Sequence, residues 1–168
     1  MEKEYRQVIH ITPSTGENKV ALGGVIDRVD RREGMIRIID YKTGSPKKSF
    51  ENVASLFDRE NKNRSKEAFQ ALVYAFLYLE EHPGARVQPG LFITREIFEK
   101  RFDPAFTWGE SRRRQPLEEF GPLAEEFNTH LLMLVGEIFN RDVPFVQTTI
   151  REHCKYCNFR EICERKQG

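Results

Sequence analysis

Residues 5 to 11, YRQVIHI, mix apolar and polar positions as a short strand does, and an apolar stretch resumes at Val20, so the N-terminal part of the chain is expected to be strand. Val8 and His10 fall on one side of the first strand, and Pro13 to Asn18 read as the turn after it. Residues 20 to 30 read as the first arm of a β-hairpin, with Arg31, Arg32, Glu33 and Gly34 as its reversal. Met35 to Lys42 form an isoleucine-rich second arm that ends at Thr43 and Gly44. Gly23 and Gly24 weaken a strand by propensity, so their presence asks for a bulge or the close approach of another group.

The pattern changes after Gly44. Residues 45 to 63 are polar except for an apolar nub at Val53, Leu56 and Phe57, and read as an excursion of loop or short helix. Ser65 opens a helix to Glu81, whose apolar face is Phe69, Leu72, Val73, Phe76 and Leu77. Gln70 and Tyr74 are four apart and share another side. His82, Pro83 and Gly84 stop this helix, and a strand follows over Pro89 to Ile97. Phe102 to Trp108 form a loop with aromatic anchors. Leu117 to Asn140 read as a long amphipathic helix with a stripe at Phe120, Leu123, Phe127, Leu131, Leu134 and Ile138, with Pro122 in its first turn. His130 and Met133 are read as surface and core residues of this helix. Asp142 to Ile150 make an extended crossing into a cysteine-containing tail, residues 146 to 168. Residues 1 to 168 form a single α/β domain with no internal repeat.

Composition narrows the function classes more than it selects one. With 39% hydrophobic and 32% charged residues the chain is globular, and no apolar run approaches a membrane span or a signal peptide, which gives a cytoplasmic expectation. The net charge of +1 advertises no polyanion by itself. Local clusters differ: Arg112, Arg113 and Arg114 form one, Lys47 and Lys48 another, and Arg59, Lys62, Arg64 and Lys66 a third. Each reads first as a solvated face, and together with a metal site they could collect phosphates. No phosphate-binding glycine loop and no G-x-S-x-G elbow occurs. The 3 cysteines, Cys154, Cys157 and Cys163, lie within ten residues. That clustering argues for buried thiols, for zinc with His153 or water as fourth ligand, or for an iron–sulfur site, and against a disulfide framework.

The chemistry is concentrated at the end of the second hairpin arm. By strand alternation Asp40 and Lys42 share a face with Ile36 and Ile38, while Arg37, Ile39 and Tyr41 take the other. A carboxylate beside an apolar core is costly, and a neighbouring lysine is a partial remedy. A surface salt bridge is the plain reading. A divalent cation shared with Asp27 across the pair is the alternative, since magnesium and manganese take carboxylate oxygens. Two carboxylates and a lysine of this kind are equipment for phosphodiester hydrolysis.

The order Asp27, then Ile39-Asp40-Tyr41-Lys42-Thr43-Gly44, then Gln70-x-x-x-Tyr74, then Cys154-x-x-Cys157-x-x-x-x-x-Cys163 resembles the PD-(D/E)XK nuclease superfamily. More narrowly, these motifs look like the nuclease domain of the AddB and RecB type, found at the C-terminus of ATP-dependent helicase–nucleases. The resemblance implies a restriction-endonuclease-like core, a mixed central β-sheet flanked by helices. It implies that Asp27 and Asp40 bind Mg2+ or Mn2+, that Lys42 is the catalytic lysine, and that Gln70 and Tyr74 position the DNA strand and the lysine. It further implies DNA as substrate and a helicase domain or subunit as partner, in DNA repair or recombination. Cys154, Cys157 and Cys163 correspond to three ligands of a 4Fe-4S cluster whose first cysteine lies upstream in such domains. That cysteine and the N-terminal helix carrying a further metal ligand have no counterpart here, which implies a piece of a longer polypeptide with an incomplete cluster. Glu2, Glu4 and His10 are open as substitutes for the further ligand. A non-catalytic DNA-binding or scaffold domain is the competing reading.

Overall fold

The computed structural model describes residues 3–11, 18–100 and 102–165. Strands β1 (Lys3–Ile11) and β2 (Asn18–Ile26) form an antiparallel ribbon in which Tyr5 faces Gly24 and His10 faces Lys19. The inward side of β1 carries Tyr5 and Ile9, both buried, while Val8 is exposed. The expected turn at Pro13 to Asn18 lies almost wholly outside the described residues.

The anticipated long first arm is in fact two strands. β2 stops at Ile26, the backbone bends at Asp27, and β3 (Arg28–Arg32) then pairs antiparallel with β4 (Met35–Lys42). The bend hands the chain from one sheet to another, a change of partner that the alternation of apolar residues does not encode. Arg32 pairs with Met35, so the reversal is the two-residue turn Glu33-Gly34. Both have positive φ, 51° and 82°, the backbone of a type I′ hairpin turn.

β4 is the middle strand. On its other edge β5 (Val87–Ile93) runs parallel, giving the mixed order β3-β4-β5. This strand begins two residues before the expected start and ends at Ile93 rather than Ile97, because Thr94 to Glu99 turn back on themselves through the bonds of Glu96 N–H to Ile93 O and Glu99 N–H to Glu96 O. Gly90 is required where β5 passes β4 and the segment after it: a Cβ there would lie 2.8 Å from Ile39 Cδ1 and 3.2 Å from Pro104 O.

Helix α1 (Lys66–Glu81) lies across the face of β4 that carries Ile36 and Ile38. It is capped by Ser65, whose buried hydroxyl accepts from Ala68 N–H at 3.1 Å and donates to Lys47 O at 2.8 Å. Its buried residues include Leu72, Val73, Phe76 and Leu77 of the expected stripe, with Phe69 half-buried. The nub of the polar excursion is real: Val53 and Leu56 are buried beside a short 3₁₀ turn, and Phe57 stacks on His130. Helix α2 (Gly121–Ile138) packs against α1 and β1. It buries Leu123, Phe127, Leu131 and Val135; Ile138, expected in that stripe, is exposed, and Met133, expected in the core, is 66% exposed. At the helix's last turn Ile138 stays exposed, while Arg59 pairs there with Glu137. The chain is an α/β fold with a mixed central β-sheet flanked by helices.

Candidate active site

Asp40 and Lys42 are delivered by the last residues of β4, where the apolar face of the strand reaches the start of α1. Extending the β3–β4 register by one residue sets Asp27 opposite Asp40. The Asp27 side chain completes that edge: its Oδ2 accepts the Tyr41 backbone N–H at 2.9 Å, a bond that a neighbouring strand would otherwise supply. On the parallel edge the ladder continues past the strand, with Thr94 N–H donating to Lys42 O at 3.0 Å. The backbone of the Asp-x-Lys segment is thereby held on both sides.

The side chains above it form a connected line. Lys42 Nζ lies 2.7 Å from Asp40 Oδ2 and donates to Gln70 Oε1 at 3.2 Å. Gln70 Nε2 in turn donates to the Tyr74 hydroxyl at 2.9 Å. Gln70 and Tyr74 reach this line because residues four apart on a helix stand one above the other. The Tyr74 ring rests on the ribbon at Gly24, where an added Cβ would sit 2.6 Å from Cε1. The paired glycines of β2 are thus explained at one of the two positions by an aromatic ring against the backbone.

Asp40 is only 5% exposed. Lys42 Nζ lies 2.7 Å from Oδ2 as an ion pair, and among the described residues this buried oxygen has no other partner. Burial pushes the Asp40 carboxyl above the usual carboxylate range, Lys42 opposes this, and the negative charges of Asp27 and Glu67 add to it. A buried carboxylate crowded by two others, with one lysine against them, is what a cation would relieve. Glu67 was not singled out by the sequence reading. It stands three residues before Gln70, and the same helical spacing that grouped Gln70 with Tyr74 would have found it.

Among the described residues, no group of three or more His, Cys, Asp or Glu is arranged to hold a metal ion. Glu4 and His10 are exposed residues of β1, paired with Val25 and Lys19, and Glu2 lies outside the described residues. Asp27 and Asp40 could together supply two carboxylates to a cation, with Glu67 near the second. That suits magnesium, which keeps several waters and is commonly bound by one or two carboxylates plus substrate phosphate. The residues do not fit a four-iron cluster: Cys154, Cys157 and Cys163 are free, half-buried thiols, one short of the usual four ligands. They lie in a tail tied to the polar excursion by Lys62–Glu152 at 3.1 Å and by the Thr149 hydroxyl on Glu60 at 3.2 Å.

No helix of the described residues is long and apolar enough to cross a membrane. No match was found among curated proteins or solved structures. A comparison with protein families, by contrast, matches residues 1–164, and with its mixed sheet and restriction-endonuclease-like core the chain belongs to the PD-(D/E)XK nuclease superfamily.

Proposed function

We propose that this chain hydrolyses DNA phosphodiester bonds with Mg2+ or Mn2+, as the nuclease component of a helicase–nuclease acting in DNA repair or recombination. The observation that carries the reading is the buried Asp40 carboxyl opposite Asp27, whose one close counter-charge among the described residues is a lysine that a helix holds from the other side. Asp27 and Asp40 would hold the cation, which when bound supplies charge stabilisation and eases deprotonation of a water.

The remaining work belongs to the chain's own side chains. Lys42 carries an ammonium with three donors, of which one is directed to Gln70. With Asp40 Oδ2 also 2.7 Å from the nitrogen, the ammonium's remaining donor capacity can stabilise negative charge developing on the phosphoryl oxygens or orient the attacking water. Gln70 fixes the lysine through its carbonyl oxygen, and Tyr74 fixes the orientation of that amide by accepting from its nitrogen. Tyr74 is therefore a positioning residue, and its effect on rate runs through Lys42.

The test is cleavage of 5′-labelled DNA by the parent, Asp40→Ala and Lys42→Ala with Mg2+. Both variants should lose cleavage while DNA binding is largely kept. Normal cutting by both removes the assigned roles. The two-carboxylate donor set favours one competing reading, a DNA-binding domain without catalysis. A parent that binds DNA, shows no heat of Mg2+ binding in calorimetry and cuts nothing supports that reading instead.

A further inference from the structure

A second site lies at the start of α1. Three separate segments converge there on an open cavity of about 270 Å³: Lys47 precedes the short strand at Ser49–Phe50, Arg64 precedes the Ser65 cap, and Arg114 precedes the short strand at Gln115–Pro116. Asn61 and Asn63 add amides, and Glu51 is the single carboxylate of the lining against these three cations. The Lys47 ammonium is already committed to Asn63 O. Among the described residues the guanidinium groups of Arg64 and Arg114 make no ion pair or hydrogen bond, although Arg28, Arg37, Arg59 and Arg86 elsewhere are all paired. The Ser65 hydroxyl pins the Lys47 segment to the helix start, so the cavity is built into the same element that holds the lysine of the active site.

From these observations we infer that the cavity seats a phosphate of the bound DNA strand that is not the one cleaved. Guanidinium groups suit a phosphate because they can meet it with paired donors. Spacing fits as well. Ser65 and Gln70 are five residues apart, about 7.5 Å along the helix axis. A separation of that size lets the cavity and Lys42 meet different phosphates of one strand. The strand's polyanionic backbone would then be gripped at one point and cut at another, with the helix α1 as the ruler between them. The inference rests on the proposed nuclease reading, whose chemistry it leaves unchanged.

The experiment measures affinity for a fluorescein-labelled single-stranded oligodeoxythymidylate across a salt series in EDTA, where no metal-dependent cutting occurs. Arg64→Gln/Arg114→Gln is compared with Arg31→Gln/Arg32→Gln, which removes the same charge at the hairpin turn, the opposite end of β4 from Lys42. The cavity double variant should bind several-fold more weakly, and its plot of log affinity against log salt should flatten by about 0.7, one phosphate's worth on a single strand. The hairpin double variant should retain the parent's slope. With Mg2+, the cavity variant should show raised KM and nearly unchanged kcat. Equal slopes for both double variants, or no change in either, overturn the inference. So does thermal stabilisation by inorganic phosphate that equals stabilisation by the oligonucleotide at matched phosphate concentration, since the cavity would then be a free-anion site. A parent that binds with the expected slope pattern but never cuts refutes the nuclease reading and leaves the DNA-phosphate seat standing.

Discussion

Replacing Gly24 by Ala should disable the site from the ribbon behind it, through the Tyr74 ring. The new Cβ would fall 2.6 Å from Tyr74 Cε1, and ordinary contact begins at 3.4 Å, so ring or ribbon must retreat by 3.4 minus 2.6, or 0.8 Å. The Tyr74 hydroxyl accepts from Gln70 at 2.9 Å; a retreat of that size away from the amide takes the bond past the range of a useful hydrogen bond. Gln70, released on that side, then holds Lys42 less well, because the 3.2 Å bond to its carbonyl oxygen depended on a fixed amide orientation. Misplacement near 1 Å at a catalytic group costs on the order of 10²-fold in rate. The stability cost should be at the low end of the about 1–3 kcal/mol typical of overpacking, because the atom met is the edge of a half-buried ring that can swing. Single-turnover cleavage of labelled DNA at saturating Mg2+ reads the rate, and thermal melting reads the fold. The decisive comparison is the pair of backgrounds: Gly24→Ala should slow the parent, yet add little to Tyr74→Phe, in which the hydroxyl link is already gone. A Gly24→Ala protein that cuts at the parental rate, or losses that multiply in full on the Tyr74→Phe background, would refute a path from ribbon through ring to lysine.

Three other perturbations have definite expected outcomes. The raised pKa of Asp40 means that its neutral form favours the fold; this contribution is complete below the ordinary value of 3.8 and is lost as pH rises through the elevated one. Metal-free Asp40→Asn should therefore melt above the parent at neutral pH, with the gap closing in acid, and Mg2+ should raise the melting temperature of the parent alone; a parent equal to or above the variant at pH 8 without metal contradicts the sign. Ser65→Ala removes a cap that is buried and bonded on both sides, and should cost about 1–2 kcal/mol in urea unfolding, with an unchanged midpoint excluding the cap's role. Glu33→Asn relieves a left-handed turn position, φ 51°, and should stabilise the hairpin by about 0.5–1 kcal/mol, which a lowered denaturation midpoint would disprove.

Local chemistry made much of this legible. A helix announced by a capping serine and a 3.6-residue apolar period starts where Ser65 says it does, and a D-x-K on an isoleucine strand does project both charges toward the helix, because strand alternation is a matter of backbone geometry. What escaped was non-local. Asp27 sits at a change of sheet, and nothing in its neighbours distinguishes such a bend from a continuing arm. The strand at Val87–Ile93 ends where a turn closes, although Ile97 keeps the apolar period going outside it. Arg114 gains its setting from Lys47 and Arg64, far away in sequence, and Glu67, though locally spaced from Gln70, gains its effect from Asp40. Gly24 stood between these cases: its presence in a strand demanded a close neighbour, and only the fold could say that the neighbour was Tyr74.

The bond from the Tyr41 amide to Asp27 makes one backbone proton a natural spectroscopic gauge of the site. A cation drawing on the Asp27 carboxylate takes electron density from the oxygen that this amide uses, so the amide should shift in nitrogen–proton correlation spectra as the site fills. Its neighbours in the β4 ladder are bonded to other strands and should stay put. Loading of the site could then be followed at a single resonance, in a protein whose nucleic acid has yet to be added.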